Sequence, residues 1–175
     1  MENMIEIKKE ENNTKIIFNK IPTTLEELKN LSEDYFKTPE YACAMFVAIL
    51  TNYENNKEEV YKMIDYINGP NEVSTYQKQF LDERLKGKQY KVDSYFEGAT
   101  PENDYKPTMP YTTNVKSTIY TDDAQGYKRF WMKSSGSDSD RPITVRLKPS
   151  LEHWYLNDEA LLSDIRIPNK QNEWS

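Results

Sequence analysis

The sequence has one cysteine, one histidine and only five glycines in 175 residues. A lone cysteine, Cys43, forms no intrachain disulfide, and its place inside an apolar stretch marks it as a buried, inert thiol. A lone histidine, His153, excludes His-rich metal sites and enzymes that need two histidines. The few glycines make neither a Gly-x-Gly-x-x-Gly fingerprint nor a phosphate-cradling Gly-x-x-x-x-Gly-Lys loop, which removes the nucleotide folds recognised that way. No Gly-x-Ser-x-Gly elbow is present, so serines and aspartates are abundant without a sign of triad geometry. The N-terminal stretch lacks the apolar run of a secretory signal, and the expectation is a cytoplasmic protein.

Excess positive charge is missing as well. Residues 1–75 carry 14 acidic and 8 basic side chains, a net of −6, and residues 76–175 carry 15 of each. An acidic chain repels phosphate backbones, so nucleic acid is not expected as a partner. Arg84, Lys86, Lys88 and Lys91 form the densest basic patch and read as a solvated helix end.

What the chain does have is an apolar stretch of ten residues, 41–50, Tyr-Ala-Cys-Ala-Met-Phe-Val-Ala-Ile-Leu. A segment apolar all round is covered on all sides. Ten residues are too few to cross a bilayer, which takes about 20, and no membrane association is expected. Thr38 is placed to cap this helix, Pro39 suits its first position and Glu40 its positive dipole end. Ahead of it, Met4, Ile5 and Ile7 with Ile16, Ile17 and Phe18 read as two antiparallel strands. Thr23 or Thr24 caps a helix carrying Leu25, Leu28 and Leu31. Behind it, Val60, Met63, Ile64 and Ile67 make a helical stripe stopped by Asn68-Gly69-Pro70. Ser74 then caps a helix whose stripe is Tyr76, Phe80, Leu81 and Leu85, with Gly87 as its stop.

From Tyr90 the period changes. Tyr90, Val92, Ser94 and Phe96 alternate as in a half-buried strand, and residues 97–110 form a proline-broken loop long enough to bind something. Strands are expected over residues 111–120, 127–132 and around Trp154 and Leu156, with a helical turn near Ala160–Leu162. The cleanest strand follows the polar loop 134–140, with Ile143, Val145 and Leu147 facing one way and Thr144, Arg146 and Lys148 the other. Helices followed by strands, without alternation, make an α+β fold. We expect one domain over residues 1–175, mainly helical to 88 and mainly strand over 89–168, with a polar tail at 169–175. The antiparallel sheet should have four to six strands and be open to curling into a barrel.

Three stretches carry a likeness to known sequences: residues 94–104 (Ser-Tyr-Phe-Glu-Gly-Ala-Thr-Pro-Glu-Asn-Asp), residues 134–148 (Ser-Ser-Gly-Ser-Asp-Ser-Asp-Arg-Pro-Ile-Thr-Val-Arg-Leu-Lys) and residues 164–168 (Asp-Ile-Arg-Ile-Pro). With residues 67–70 and 79–84, they resemble an uncharacterised bacterial family, a domain of unknown function, from about Pro39 onward. The resemblance implies helices before strands and brings no activity, ligand or catalytic residue with it.

Candidate chemistry is sparse. Asp138 and Asp140, among serines, offer hard oxygen ligands, but the loop lacks the EF-hand spacing and reads as a solvated hairpin loop. Arg141, Arg146 and Arg166 would hold a carboxylate or phosphate if they converged; the favoured reading is that they pair with Asp138, Asp140 or Asp164 to pin the loop. Glu97 precedes a glycine in the long loop and is a base or ligand without a placed partner. His153 flanks Trp154 and Tyr155. Thirteen tyrosines and three tryptophans include Trp131, Trp154, Tyr95, Tyr111, Tyr120 and Tyr127 in the strand half, either as core or as an adhesive sheet face for a peptide, a sugar or a protein. The reading that follows is a non-enzymatic binding or protein-interaction module with no cofactor and no metal. Its candidate ligand residues are Arg141, Arg146, Asp138, Asp140, Glu97, Trp131 and His153. One alternative is an enzyme acting on a small anionic or phosphorylated substrate, with Arg141 and Arg146 holding the anion. The other is a homo-oligomeric structural subunit.

Overall fold

A computed structural model describes residues 4–175. Its organising element is helix α2, Pro39–Leu50, in which every residue from Glu40 to Leu50 is buried. Fully burying one large aliphatic or aromatic side chain contributes about 1.5–3 kcal/mol, so this segment is a main source of cohesion. Thr38 occupies the N-cap position, but its side chain makes no cap hydrogen bond. Pro39 at the first position and Glu40 in the first turn stand as the sequence suggested.

One face of α2 meets the sheet and the other meets helices. Strands β1 (Ile5–Lys9), β2 (Asn13–Phe18), β3 (Tyr111–Lys116), β4 (Tyr127–Met132), β5 (Arg141–Lys148) and β6 (His153–Glu159) form a six-stranded antiparallel sheet in sequence order. The fold is α+β. The sheet does not close into a barrel: β1 and β6 remain its two edges. On β5, Ile143 and Val145 are buried and Leu147 is half-buried, as the alternation required. A bulge in β6 shifts the register between Thr144 and Val145.

Helix α1 (Leu25–Lys29) is capped by Thr24, whose side chain accepts from the Glu27 amide. It ends before Leu31, which packs on the core from the following turn. Helix α3 (Lys57–Ile67) buries the expected Val60, Met63, Ile64 and Ile67. Gly69 ends it at φ +68°, and a Cβ there would stand 2.8 Å from the Tyr155 ring, so the position needs glycine for both conformation and space. Helix α4 (Thr75–Leu85) opens on a full capping box between Ser74 and Gln77. Its apolar stripe is buried only in the second half, at Leu81 and Leu85, while Tyr76 is 75% exposed.

Four expectations need correction. Residues 90–96 are not a strand: Tyr90–Asp93 is a short helix, α5, and only Phe96 bridges to Thr113. The buried apolar residues here, Val92, Tyr95, Phe96 and Ala99, have Lys91 and Ser94 buried beside them, so neighbouring residues are covered on both sides and a two-residue period does not describe the segment. Lys91 lies in this turn and is buried rather than solvated, and burial lowers its ammonium pKa. Strand β3 stops at Lys116, because the Thr118 and Thr121 hydroxyls take the amides of Tyr120 and Thr118 into local turns. Residues 160–162 are irregular instead of a helical turn: the Leu161 amide donates to Glu159 and its carbonyl accepts from the Tyr95 hydroxyl, leaving no helical ladder.

Candidate functional site

Strands β3 and β4 pair only at Val115↔Met132 and Lys116↔Trp131, then diverge. The chain at residues 94–97 wedges into the gap. The Glu97 amide donates to the Thr112 carbonyl (2.9 Å), and the Ser135 amide donates to the Ser94 carbonyl (3.0 Å). This wedge brings the start of the 97–110 loop and the start of the 134–140 loop to the same place.

Both loops are pinned. Gly98 sits at φ +88°, and any Cβ would collide with Thr108, whose amide donates to the Glu97 carbonyl at 2.9 Å. Beyond it, Thr100 and Asn103 cap a 3₁₀ turn at Pro101–Asn103, and the Tyr105 hydroxyl donates to the Arg166 carbonyl at 2.6 Å. In the second loop Arg166 donates to the Asp138 carboxylate (2.7 Å) and the Ser135 carbonyl (3.2 Å), and Arg141 donates to the Asp164 carbonyl (3.1 Å). Arg141 and Arg166 therefore tie the loop to the C-terminal segment.

A cleft of about 630 Å³ opens between residues 94–100 and the outward face of β2 and β3. The register places Asn13 opposite Lys116 and Lys15 opposite Asn114, so amides and ammoniums alternate in a two-by-two pattern on one face. Lys15 pairs with Glu97 at 2.8 Å, Lys116 with Asp140 at 3.1 Å, and Asn13 donates to Asn114 at 2.9 Å. The Glu97 hydrogen bond and charge raise the Lys15 ammonium above its usual value, so it stays charged. Lys133 and Ser135 also line the cleft, and Lys133 has no acidic partner among the described residues. The Asn13 Oδ1 oxygen is buried without a hydrogen-bond partner, an arrangement that costs about 1–3 kcal/mol until a donor satisfies it.

The candidate residues from the sequence scatter over this frame. Glu97 lines the cleft, and Asp140 is tied to it only through its ion pair with Lys116. Trp131 is half-buried on β4 and in register with Lys116 and with Pro142, one strand further from the cleft. Asp138 and Arg141 are committed to the loop clamp. Arg146 lies five residues from Arg141 on the same strand, which puts the two on opposite faces and roughly 16 Å apart. Arg146 caps the Tyr127 ring at 5.3 Å, and the three arginines do not converge. His153 stacks on Phe36 at 5.2 Å, and its Nδ1 lies 3.2 Å from the Tyr155 hydroxyl, inside an aromatic cluster. The aromatic residues divide likewise: Tyr95 is buried, Tyr111 packs on Phe96, and Trp154 lies under Lys128, leaving Tyr127 and Trp131 on one face of β4. No group of three or more His, Cys, Asp or Glu among the described residues is placed to hold a metal ion. The cleft residues of β2 were missed because the apolar signal of that strand begins at Ile16; the polar alternation Asn13, Lys15 against buried Thr14, Ile16 was the available signal.

Residues 20–169 match the family described as Domain of unknown function (DUF6935). The chain belongs to this family. The match leaves β1 and β2 outside it, so Asn13 and Lys15 of the cleft lie beyond the DUF6935 region and Glu97, Asn114, Lys116 and Lys133 within it. No curated protein and no solved structure matches the chain. No helix among the described residues is long and apolar enough to cross a membrane.

Proposed function

We propose that this domain is a non-enzymatic binding module that holds an oxygen-rich ligand, bearing carboxylate, phosphate or sugar hydroxyl groups, in the cleft between residues 94–100 and β2–β3. The observation that carries the reading is the set of three ammoniums facing one cleft, two of them already held by carboxylates. A charged ammonium donates hydrogen bonds and neither attacks nor accepts a proton, so the geometry favours holding over transforming. Glu97 and Asp140 supply acceptors beside these donors, and the paired carboxamides of Asn13 and Asn114 supply both. The proposal places the module in the bacterial cytoplasm.

The test is a thermal-shift and calorimetric screen against inorganic phosphate, sugar phosphates, dicarboxylates and neutral sugars. A ligand at a hundred times its Kd stabilises the folded state by about 2.7 kcal/mol. The expected result is a ligand whose shift disappears in Lys116→Ala and Lys133→Ala, persists in Arg146→Ala, and which NMR shows unaltered after incubation. Loss of the shift on Arg146→Ala alone, or conversion of the ligand to product, would overturn the reading in favour of the small-anion enzyme.

A further inference from the structure

The charges around the cleft between residues 94–100 and β2–β3 do not cancel. Lys15 is neutralised by Glu97 at 2.8 Å, and Lys116 by Asp140 at 3.1 Å. Lys133 lines the same cleft and has no acidic partner among the described residues. Three cations against two carboxylates leave one positive charge, and it stands at Lys133. A ligand with a single negative charge balances it. A phosphate dianion or a dicarboxylate brings a second charge, which must compete with Glu97 or Asp140 for an ammonium already held. A zwitterionic amino acid is neutral and leaves the excess charge where it was.

The remaining polar groups say what else the ligand must offer. Glu97 binds Lys15 through Oε1, and its Oε2 makes no hydrogen bond among the described residues. That oxygen accepts from a ligand donor and repels a bare anion. Asn13 donates through Nδ2 to the Asn114 Oδ1, and the Asn114 Nδ2 donates to nothing among the described residues, so it is left for a ligand acceptor. Donors and acceptors thus stand on a grid with steps of about 4.8 Å between β2 and β3 and about 6.8 Å along each strand. Hydroxyl groups both donate and accept, and several on one sugar ring can meet such a surface together. Aromatic stacking contributes nothing here: Tyr95 and Phe96 line the cleft but are each only 2% exposed. A nucleobase or an aromatic acid therefore finds no ring face.

We propose that the ligand of this cleft is a sugar acid, a hexuronate unit whose carboxylate pairs with Lys133 and whose hydroxyls lie over Glu97, Asn114 and Lys116. The assignment rests on the binding-module reading and narrows it to one ligand class. Lys133 selects the acid over the neutral sugar, and Glu97 with Asn114 selects the sugar over a bare anion. The Lys133 side chain is exposed, so it can be replaced without loss of the fold.

The experiment is isothermal titration calorimetry of the full chain at low ionic strength, where charge selection is least screened. The probes are glucuronate, galacturonate and mannuronate, their neutral parent sugars, glucose 6-phosphate and succinate. One uronate should bind at least about ten-fold more tightly than its parent sugar, glucose 6-phosphate and succinate. Lys133→Gln, with an unchanged thermal melt, should erase the preference over the parent sugar and leave that sugar's own affinity unaltered. Glu97→Gln should admit succinate, because the repelling carboxylate is gone and Lys15 is freed. Equal binding of the uronate's methyl glycoside supports a unit at the end of a glycan chain, and its failure to bind supports a free sugar acid. Preference for glucose 6-phosphate or succinate over every uronate, lost on Lys116→Ala and Lys133→Ala, overturns the sugar-acid assignment and leaves the binding module standing. A uronate preference that survives Lys133→Gln also overturns the assignment. No response to any of these probes or to the wider thermal-shift screen overturns both.

Discussion

Asp93 offers a test of how the helix-to-sheet junction is built. It closes α5 in a half-buried position, and burial, aided by the nearby Glu54 carboxylate, pushes its carboxyl up to about 6 from a usual 3.8. Glu54 cannot swing away freely because it accepts a hydrogen bond from the Gly87 amide at 3.0 Å. The folded state therefore holds the Asp93 proton at pH values where the unfolded chain has released it. Stability from this group is fully present below pH 3.8 and is lost as pH rises through about 6. A displacement from 3.8 to about 6 corresponds to about 3 kcal/mol at the upper limit.

Asp93→Asn removes the charge while keeping the shape. The variant should gain about 1–3 kcal/mol over the parent at about pH 7.5, and the gain should shrink toward zero near about pH 4. Urea unfolding followed by tryptophan fluorescence at several pH values measures both, and the parent–variant difference cancels every other titrating group. Glu54→Gln should recover a smaller part of the same gain. A gain independent of pH, or no gain at neutral to mildly alkaline pH, would refute the assignment of the strain to a buried carboxylate.

Two other predictions rest on geometry alone. Gly69→Ala forces a side chain into a left-handed backbone and against the Tyr155 ring, and should cost about 2 kcal/mol or more in the same urea assay. Cys43 is fully covered, and burial pushes its thiol well above the usual range. A thiol-reactive dye should therefore leave it untouched in the native protein and label it only as fast as the chain unfolds.

The elements that were legible in the sequence are those whose signal is local. Helix α2 announces itself as an uninterrupted apolar run, α3 ends at a glycine that its neighbours demand, and β5 shows a two-residue period from Ile143 to Leu147. Where two local signals competed, the sequence misled: residues 90–96 satisfy the alternating pattern on paper, while Lys91 and Tyr95 are buried as well as Val92, Ser94 and Phe96 and the chain turns as a helix over Tyr90–Asp93. The arginine cluster shows a subtler failure. An odd spacing on one strand sends Arg141 and Arg146 to opposite faces, so parity alone argues against their convergence.

The cleft itself could not be read locally, because its members come from distant parts of the chain. Lys15 meets Glu97, and Lys116 meets Asp140, only because β2 pairs with β3 in one register and because β3 and β4 separate after two paired residues. A one-residue slip of β2 against β3 would turn Asn13 and Lys15 inward and Thr14 and Ile16 outward. Ile16 is fully buried beneath α2, so the register that arms the cleft is enforced from the other side of the sheet. The apolar spine and the polar site are in this sense two faces of one constraint, and a substitution that loosens Ile16 should disorder the lysine pattern before it unfolds the domain.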